Sequence, residues 1–191
     1  SIVVKPAEEA SLTTLRLAEL AQQAGVPAGV LNVVTGKGSE IGEELAMSMD
    51  VDVLVFTGSG GTGRRLLEYS ARSNMKRVYL ELGGKSANIV FADAPNLDEA
   101  AAAAAFAIFR NSGQICISGS RLLVEKSIHD EFVAKVAKHA EALTIGDPLK
   151  LGSQIGAINN IGQLQGNLDF VAKAQEEGGQ VVTGGQRVLE E

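Results

Sequence analysis

The chain of 191 residues has room for one large domain or two small or partial ones. With 45% hydrophobic and 21% charged residues it reads as a globular core, which excludes a disordered chain. A net charge of −6, with 17 Lys and Arg against 23 Asp and Glu and no basic cluster, argues against nucleic acid as a partner. The single cysteine forbids an internal disulfide and suits a reducing compartment, so a cytoplasmic location is expected. There is no charged-then-apolar leader and no apolar run of membrane-spanning length, so no membrane partner is expected. Both ends read as cut: the start enters an apolar run at Ile2 with no polar lead-in, and the end follows directly on Gly184-Gly185.

In chain order, Ile2–Val4 predicts a short β-branched strand stopped by Pro6. Leu12, Leu15, Ala18 and Leu20 predict a helix from Ser11 to Gln23, ended by Gly25 and Pro27. Val30–Val34 predicts a strand and Ser39–Met47 a short helix after Gly36 and Gly38. Val51–Phe56 is nearly all apolar, as a parallel strand covered on both faces should be. A glycine loop, Gly58 to Gly63, then leads to a helix at Arg64–Ser73 and a strand at Val78–Leu80. This alternation favours a parallel sheet with right-handed crossovers. Gly83-Gly84 marks a domain change, giving a first domain of residues 1–82 and a second of 83–191. The second predicts a strand at Asn88–Phe91 and a helix at Leu97–Phe109, where Ala100 to Ala105 lets neighbours approach closely. An irregular loop carries Cys116. A strand at Leu122–Glu125, helices at Ile128–Leu143 and Ile161–Glu177, and a strand at Gln180–Thr183 follow.

Gly58, Gly60 and Gly63 match G-x-G-x-x-G between a strand and a helix, the setting in which a backbone can approach a pyrophosphate. The bland alternative is a glycine-rich turn. A phosphate-binding loop of nucleoside triphosphatases is a near miss: Gly58-x4-Gly63 has the spacing, but Arg64-Arg65 stands where Lys and a hydroxyl residue are needed, which argues against that class. Glu81 ends the following strand at the offset of a ribose-binding acid. Spacing alone leaves a cofactor role, a catalytic role and an ordinary strand-end carboxylate open. Lys5-Pro6-Ala7-Glu8 offers an ammonium and a carboxylate at a strand end, to grip a ribose or simply to be solvated. His129 and His139 are ten residues apart on one helix, and no metal site is expected. Taken alone, Cys116 is more often a packed thiol than a nucleophile.

Laid side by side, these stretches resemble the aldehyde dehydrogenase superfamily over essentially the whole chain. Glu81-Leu82-Gly83-Gly84-Lys85-Ser86 is similar to its E-L-G-G-K-S signature, and Phe109-x-Asn111-x-Gly113-Gln114-x-Cys116 to its cysteine signature. Phe56-Thr57-Gly58-Ser59 and Lys5-Pro6-Ala7-Glu8 resemble its two cofactor motifs. Ser73–Val78 and Lys85–Asp93 are similar to the branch acting on ω-amino aldehydes such as γ-glutamyl-γ-aminobutyraldehyde. The resemblance implies an α/β fold, with part of a Rossmann-type parallel-sheet coenzyme domain followed by part of an α/β catalytic domain.

It also implies roles. Cys116 would be the nucleophile and Glu81 the general base; Lys5 and Glu8 would hold the adenosine ribose. Ser59 would lie at the pyrophosphate, with Gly58, Gly63 and Leu82 as further cofactor contacts. Gly60-Gly61 departs from the family, which usually has Thr and an acid there. The implied reaction oxidises an aldehyde through a cysteine thiohemiacetal and thioester, with NAD preferred over NADP because Glu8 repels a 2′-phosphate. A dimer or tetramer of the full-length enzyme is implied. The family's P-W-N-F and E-x-F-G-P motifs are not in the sequence, so these 191 residues alone are expected to be inactive. The alternative is a catalytically incomplete fragment that binds only a nucleotide or a partner.

Overall fold

Residues 1–188 are described in a computed structural model. Two units separate at the glycine pair, Ser1–Leu82 and Gly83–Glu191, and each is described by itself.

In the first unit, β1 (Ile2–Val4) pairs in parallel with β2 (Leu31–Val33), Ile2 opposite Leu31 and Val4 opposite Val33. Helix α1 (Ser11–Gln23) makes the crossover. Gly25 ends it in the left-handed region: its N–H donates to Gln22 O and the Val26 N–H to Ala21 O, which closes the last helical carbonyls. A π-helical turn, Gly38–Gly42, runs into the short α2 (Glu43–Met47). Strand β3 (Val53–Gly58) pairs in parallel with β4 (Arg77–Leu82), with Thr57 opposite Glu81 and Gly58 opposite Leu82. Among the described residues β1–β2 and β3–β4 are separate two-stranded ladders, not one continuous sheet.

Helix α3 (Gly60–Arg72) begins four residues before the expected Arg64. Glycine is a poor helix former, but Ser59 caps the helix, its Oγ accepting the Thr62 N–H at 3.2 Å. The expected glycine loop is therefore the first helical turn. At the other end of α3, Met75 takes a left-handed conformation and a polar lock fixes the start of β4. Asn74 Nδ2 donates to Met49 O and Val51 O, and Ser70 Oγ donates to Lys76 O. Lys76 is itself buried, and its Nζ donates to Ala46 O and Ser73 Oγ. That places an ammonium on the last carbonyls of α2, where the helix dipole favours a cation.

In the second unit, β5 (Ala87–Val90) and β6 (Arg121–Val124) form a parallel pair, Ala87 opposite Arg121. Helix α4 (Leu97–Phe109) crosses between them and is capped by Asn96, whose Oδ1 accepts the Asp98 and Glu99 N–H groups. Helix α5 (His129–Glu141) packs on α4, and α6 (Ile161–Glu176) follows. The core is Val90, Ala101, Ala104 and Phe132. The alanine run on α4 leaves room for one large ring, and Phe132 fills it with 0% exposure. The strand expected at Gln180–Thr183 does not form. No described strand offers it a ladder; instead Val181 and Val182 border an apolar hollow with Phe109, Val136 and Val171. Among the described residues no helix is long and apolar enough to cross a membrane.

Phe132→Ala should lower the unfolding free energy by about 3–5 kcal/mol, read from urea transitions. A loss under about 1 kcal/mol would show that this ring does not anchor the unit.

Candidate active site

Cys116 is exposed, on the connection from α4 to β6. Three consecutive residues before it, Asn111, Ser112 and Gly113, have φ of 54°, 56° and 72°. Left-handed backbone is unremarkable for glycine, tolerated by asparagine and costly for serine. Specific contacts hold the turn in this shape. Asn111 Nδ2 donates to Gln114 O at 3.2 Å, closing the turn on itself. Ser112 Oγ donates to Gly156 O at 3.0 Å, and Gln114 Oε1 accepts the Asn159 N–H at 3.1 Å. The segment before α6 thus braces the cysteine turn from outside. Gly84 lies beside it too: a Cβ there would sit 4.0 Å from the Cys116 carbonyl oxygen. Beyond Cys116, the backbone tightens at Gly119, where a Cβ would come within 3.2 Å of the Asn88 Cβ.

The remaining candidate residues belong to the first unit. Glu81 is exposed near the C-terminal end of β4, opposite Thr57, and its carboxylate makes no hydrogen bond to a described residue. Gly58, Ser59, Gly63 and Leu82 meet where β3 turns into α3. Only Ser59 stands between strand and helix; it takes the Thr62 and Gly63 N–H groups, and the Gly60 and Gly61 N–H groups are left at the strand end. Gly60 and Gly61 add no side chain over them. Gly58 and Gly63 have packing reasons to be glycine. A Cβ at Gly58 would lie 2.4 Å from the Phe56 ring, and one at Gly63 would lie 3.0 Å from Leu82 Cδ2 and 3.3 Å from Leu80 Cδ1. Leu82 therefore turns its side chain into the helix–strand contact.

Lys5 and Glu8 both contact the loop at Gly36 and Gly38, which the sequence marks only as the turn into a short helix. Glu8 Oε1 accepts the Gly38 N–H at 2.8 Å, and Lys5 Nζ donates to Pro6 O and, at 3.3 Å, to Gly36 O. The available signal was Gly36-x-Gly38 directly after a strand and opening a helix. The Gly38 N–H, Glu8's own backbone N–H and the Lys5 ammonium hold the Glu8 carboxyl below the ordinary glutamate range. At least one oxygen of the Glu8 carboxylate is thus committed to the backbone.

A profile of the Aldehyde dehydrogenase family matches residues 1–191. The chain belongs to the aldehyde dehydrogenase family. It is 48% identical over 178 residues to the NADP/NAD-dependent aldehyde dehydrogenase PuuC of Escherichia coli (strain K12), covering 93% of this chain and 36% of that protein. Among solved structures, an indole-3-acetaldehyde dehydrogenase complexed with NAD+ superimposes with a TM-score of 0.97 at 48% identity, covering 99% of this chain and 38% of the other. The γ-glutamyl-γ-aminobutyraldehyde dehydrogenase of Burkholderia cenocepacia J2315 gives 0.95 at 49% identity, covering 99% and 38%. The chain thus spans little more than a third of the length of these aldehyde dehydrogenases, and their α/β fold is the fold found here.

A test of the Glu8 contact follows from its sign. A lowered carboxyl pKa means the contact contributes above the ordinary glutamate range and is lost as pH falls through the lowered midpoint. Lys37 precedes Gly38 with φ −66° and ψ 136°, a backbone that accepts a following proline at a helix start. Gly38→Pro should remove the N–H, keep the helix, and move the Glu8 midpoint upward in a carbon-13 NMR titration. An unchanged midpoint would mean that Gly38 does not hold Glu8.

Proposed function

We propose that this chain carries the nucleophile, the general base and part of the dinucleotide site of an enzyme that oxidises an aldehyde to a carboxylic acid with NAD+. The observation that carries the reading is Cys116: the one thiol of the sequence, next to a left-handed turn braced by Asn111, Ser112 and Gln114 in an aldehyde dehydrogenase chain.

The residues present suit the cofactor. The ammonium of Lys5 and the carboxylate of Glu8 offer a donor and an acceptor for ribose hydroxyls. The uncovered N–H groups after Ser59 suit a pyrophosphate, since helix N-termini attract anions. Bound NAD+ would supply the hydride acceptor. Cys116 Sγ, as thiolate, would add to the aldehyde carbon and form a thiohemiacetal. Backbone N–H at the cysteine turn would help hold the oxyanion. Loss of hydride leaves a thioester on Sγ. Glu81 would take a proton from water, the hydroxide would attack the thioester carbon, and the carboxylic acid would leave as Cys116 returns to its thiol form.

Glu8 favours NAD+ over NADP+ through repulsion of a 2′-phosphate. The substrate class we favour is an ω-amino or related aliphatic aldehyde, supported by the likeness to a γ-glutamyl-γ-aminobutyraldehyde dehydrogenase. The parent enzyme would work as a homodimer or homotetramer. A thiolate nucleophile needs a reducing compartment, the cytoplasm in this reading.

In the full-length enzyme, Cys116→Ala should lower NADH formation by at least about a thousandfold. Turnover near the parent level would sink the assignment. Glu81→Gln should keep a first burst of one NADH per site while steady turnover falls by about a hundredfold or more. Loss of the burst itself would remove Glu81 from the deacylation step.

A further inference from the structure

We infer that Ser112 is a positioning residue for the acylation step: its hydroxyl ties the cysteine turn to the chain ahead of α6 and so sets where Cys116 Sγ meets the aldehyde. This rests on the reading of Cys116 as the nucleophile and goes beyond it, since Ser112 acts without touching substrate. Two separate features single it out. Its backbone is left-handed, with φ 56° and ψ 28°, a conformation that serine does not favour by itself. Its side chain also forgoes the local backbone bond that a serine in a turn usually makes. Instead Oγ donates to Gly156 O, 44 residues along the chain, at 3.0 Å.

The acceptor end of that bond is itself fixed. Ile155, just before Gly156, bridges Ile145 in parallel. The Gln154 and Ile155 N–H groups donate to Thr144 O at 2.8 and 3.1 Å, and Gln154 Oε1 accepts the Thr144 N–H at 2.9 Å. A Cβ at Gly156 would lie 3.4 Å from the Pro148 Cβ, so the backbone there runs against the proline ring. The other contacts of the turn do a different job. The Asn111 bond to Gln114 O joins two residues of the turn and fixes its shape, not its place. The Gln114 contact with Asn159 is exposed and made through a long, rotatable side chain, whereas the Ser112 contact is part-buried and made through a single torsion. Without the tie, Ser112 can return to right-handed backbone, a change in φ of about 110° shortly before Cys116. Reaction needs the attacking and attacked atoms about 3–3.5 Å apart and aligned, and a misplacement of about 1 Å can cost about a hundredfold. The Ser112 proton goes to Gly156 O, so this residue sets the place of the thiol and not its ionisation.

Stopped-flow NADH bursts of the full-length enzyme with an aliphatic aldehyde and NAD+ read the acylation rate constant, from which any unfolded fraction drops out. Ser112→Ala should slow the saturated burst by about tenfold or more, while the aldehyde concentration for half-maximal rate stays within about twofold. Ser112→Gly accepts left-handed backbone freely and so separates shape from tie; it should be slowed as much as the alanine variant. In both variants the pH midpoint for alkylation of Cys116 by iodoacetamide should stay at the parent value. A parent-like burst in either variant, or a slowed burst with a moved midpoint, would overturn the positioning role. Peptide mapping of the acyl group in the parent enzyme separates the two levels. With the acyl group on Cys116, the Ser112 result is judged on its own; with it on another residue, the nucleophile reading and the inference built on it both fall.

Discussion

Helix α3 lies so close to β4 that a Cβ at residue 63 would be crowded and its neighbours would have to give way. Leu82 and Leu80 fill the space where it would be, at 3.0 and 3.3 Å. That contact fixes the helix against the strand, and much of the first unit follows from it. With Ser59 as the only residue between β3 and α3, the Gly60 and Gly61 N–H groups stand at the strand end. The same packing sets where β4 ends, and so where Glu81 stands relative to the β3–α3 turn. The far end of β4 is fixed by a different device. Asn74 and buried Lys76 tie the turn before it to the end of α2 and the chain leading into β3. A strand held at both ends has little freedom to slip, and a one-residue slip would turn Glu81 to the other face.

The cysteine turn is built by the opposite principle. It is held less by apolar packing than by hydrogen bonds that oblige three residues to adopt left-handed backbone. Strain of this kind persists only where surrounding structure over-determines it. Here the closing bond from Asn111 to Gln114 is backed by Ser112 to Gly156 and by Asn159 to Gln114. The ordered chain ahead of α6 is therefore part of what holds Cys116 in place, although it contributes no candidate catalytic group.

Most strands and helices were legible in the sequence: the apolar run at Val51–Phe56 marks the strand found at Val53–Gly58, and Ala100 to Ala105 marks a helix that neighbours can approach closely. The start of α3 was not legible. Propensity places glycines outside a helix, whereas a serine cap and a tertiary contact at Gly63 draw them in. Gln180–Thr183 has strand composition, but pairing depends on a neighbour that local sequence does not specify. At the site, the motifs around Cys116, Glu81 and Lys5–Glu8 were legible as motifs, each at a strand end or on an irregular loop. The contacts that Gly36 and Gly38 make with Lys5 and Glu8, and Gly156 and Asn159 with the cysteine turn, were not legible, since they use backbone atoms that every residue owns.

The central claim is that Cys116 becomes covalently acylated during turnover. Rapid acid quenching of the full-length enzyme with an aldehyde and NAD+, followed by peptide mass spectrometry, reads this directly. The account predicts an acyl mass on the peptide containing Cys116, formed only when NAD+ is present and accumulating when Glu81 is replaced by glutamine. An acyl group on a different residue, or a burst of NADH with Cys116 unmodified, would contradict it.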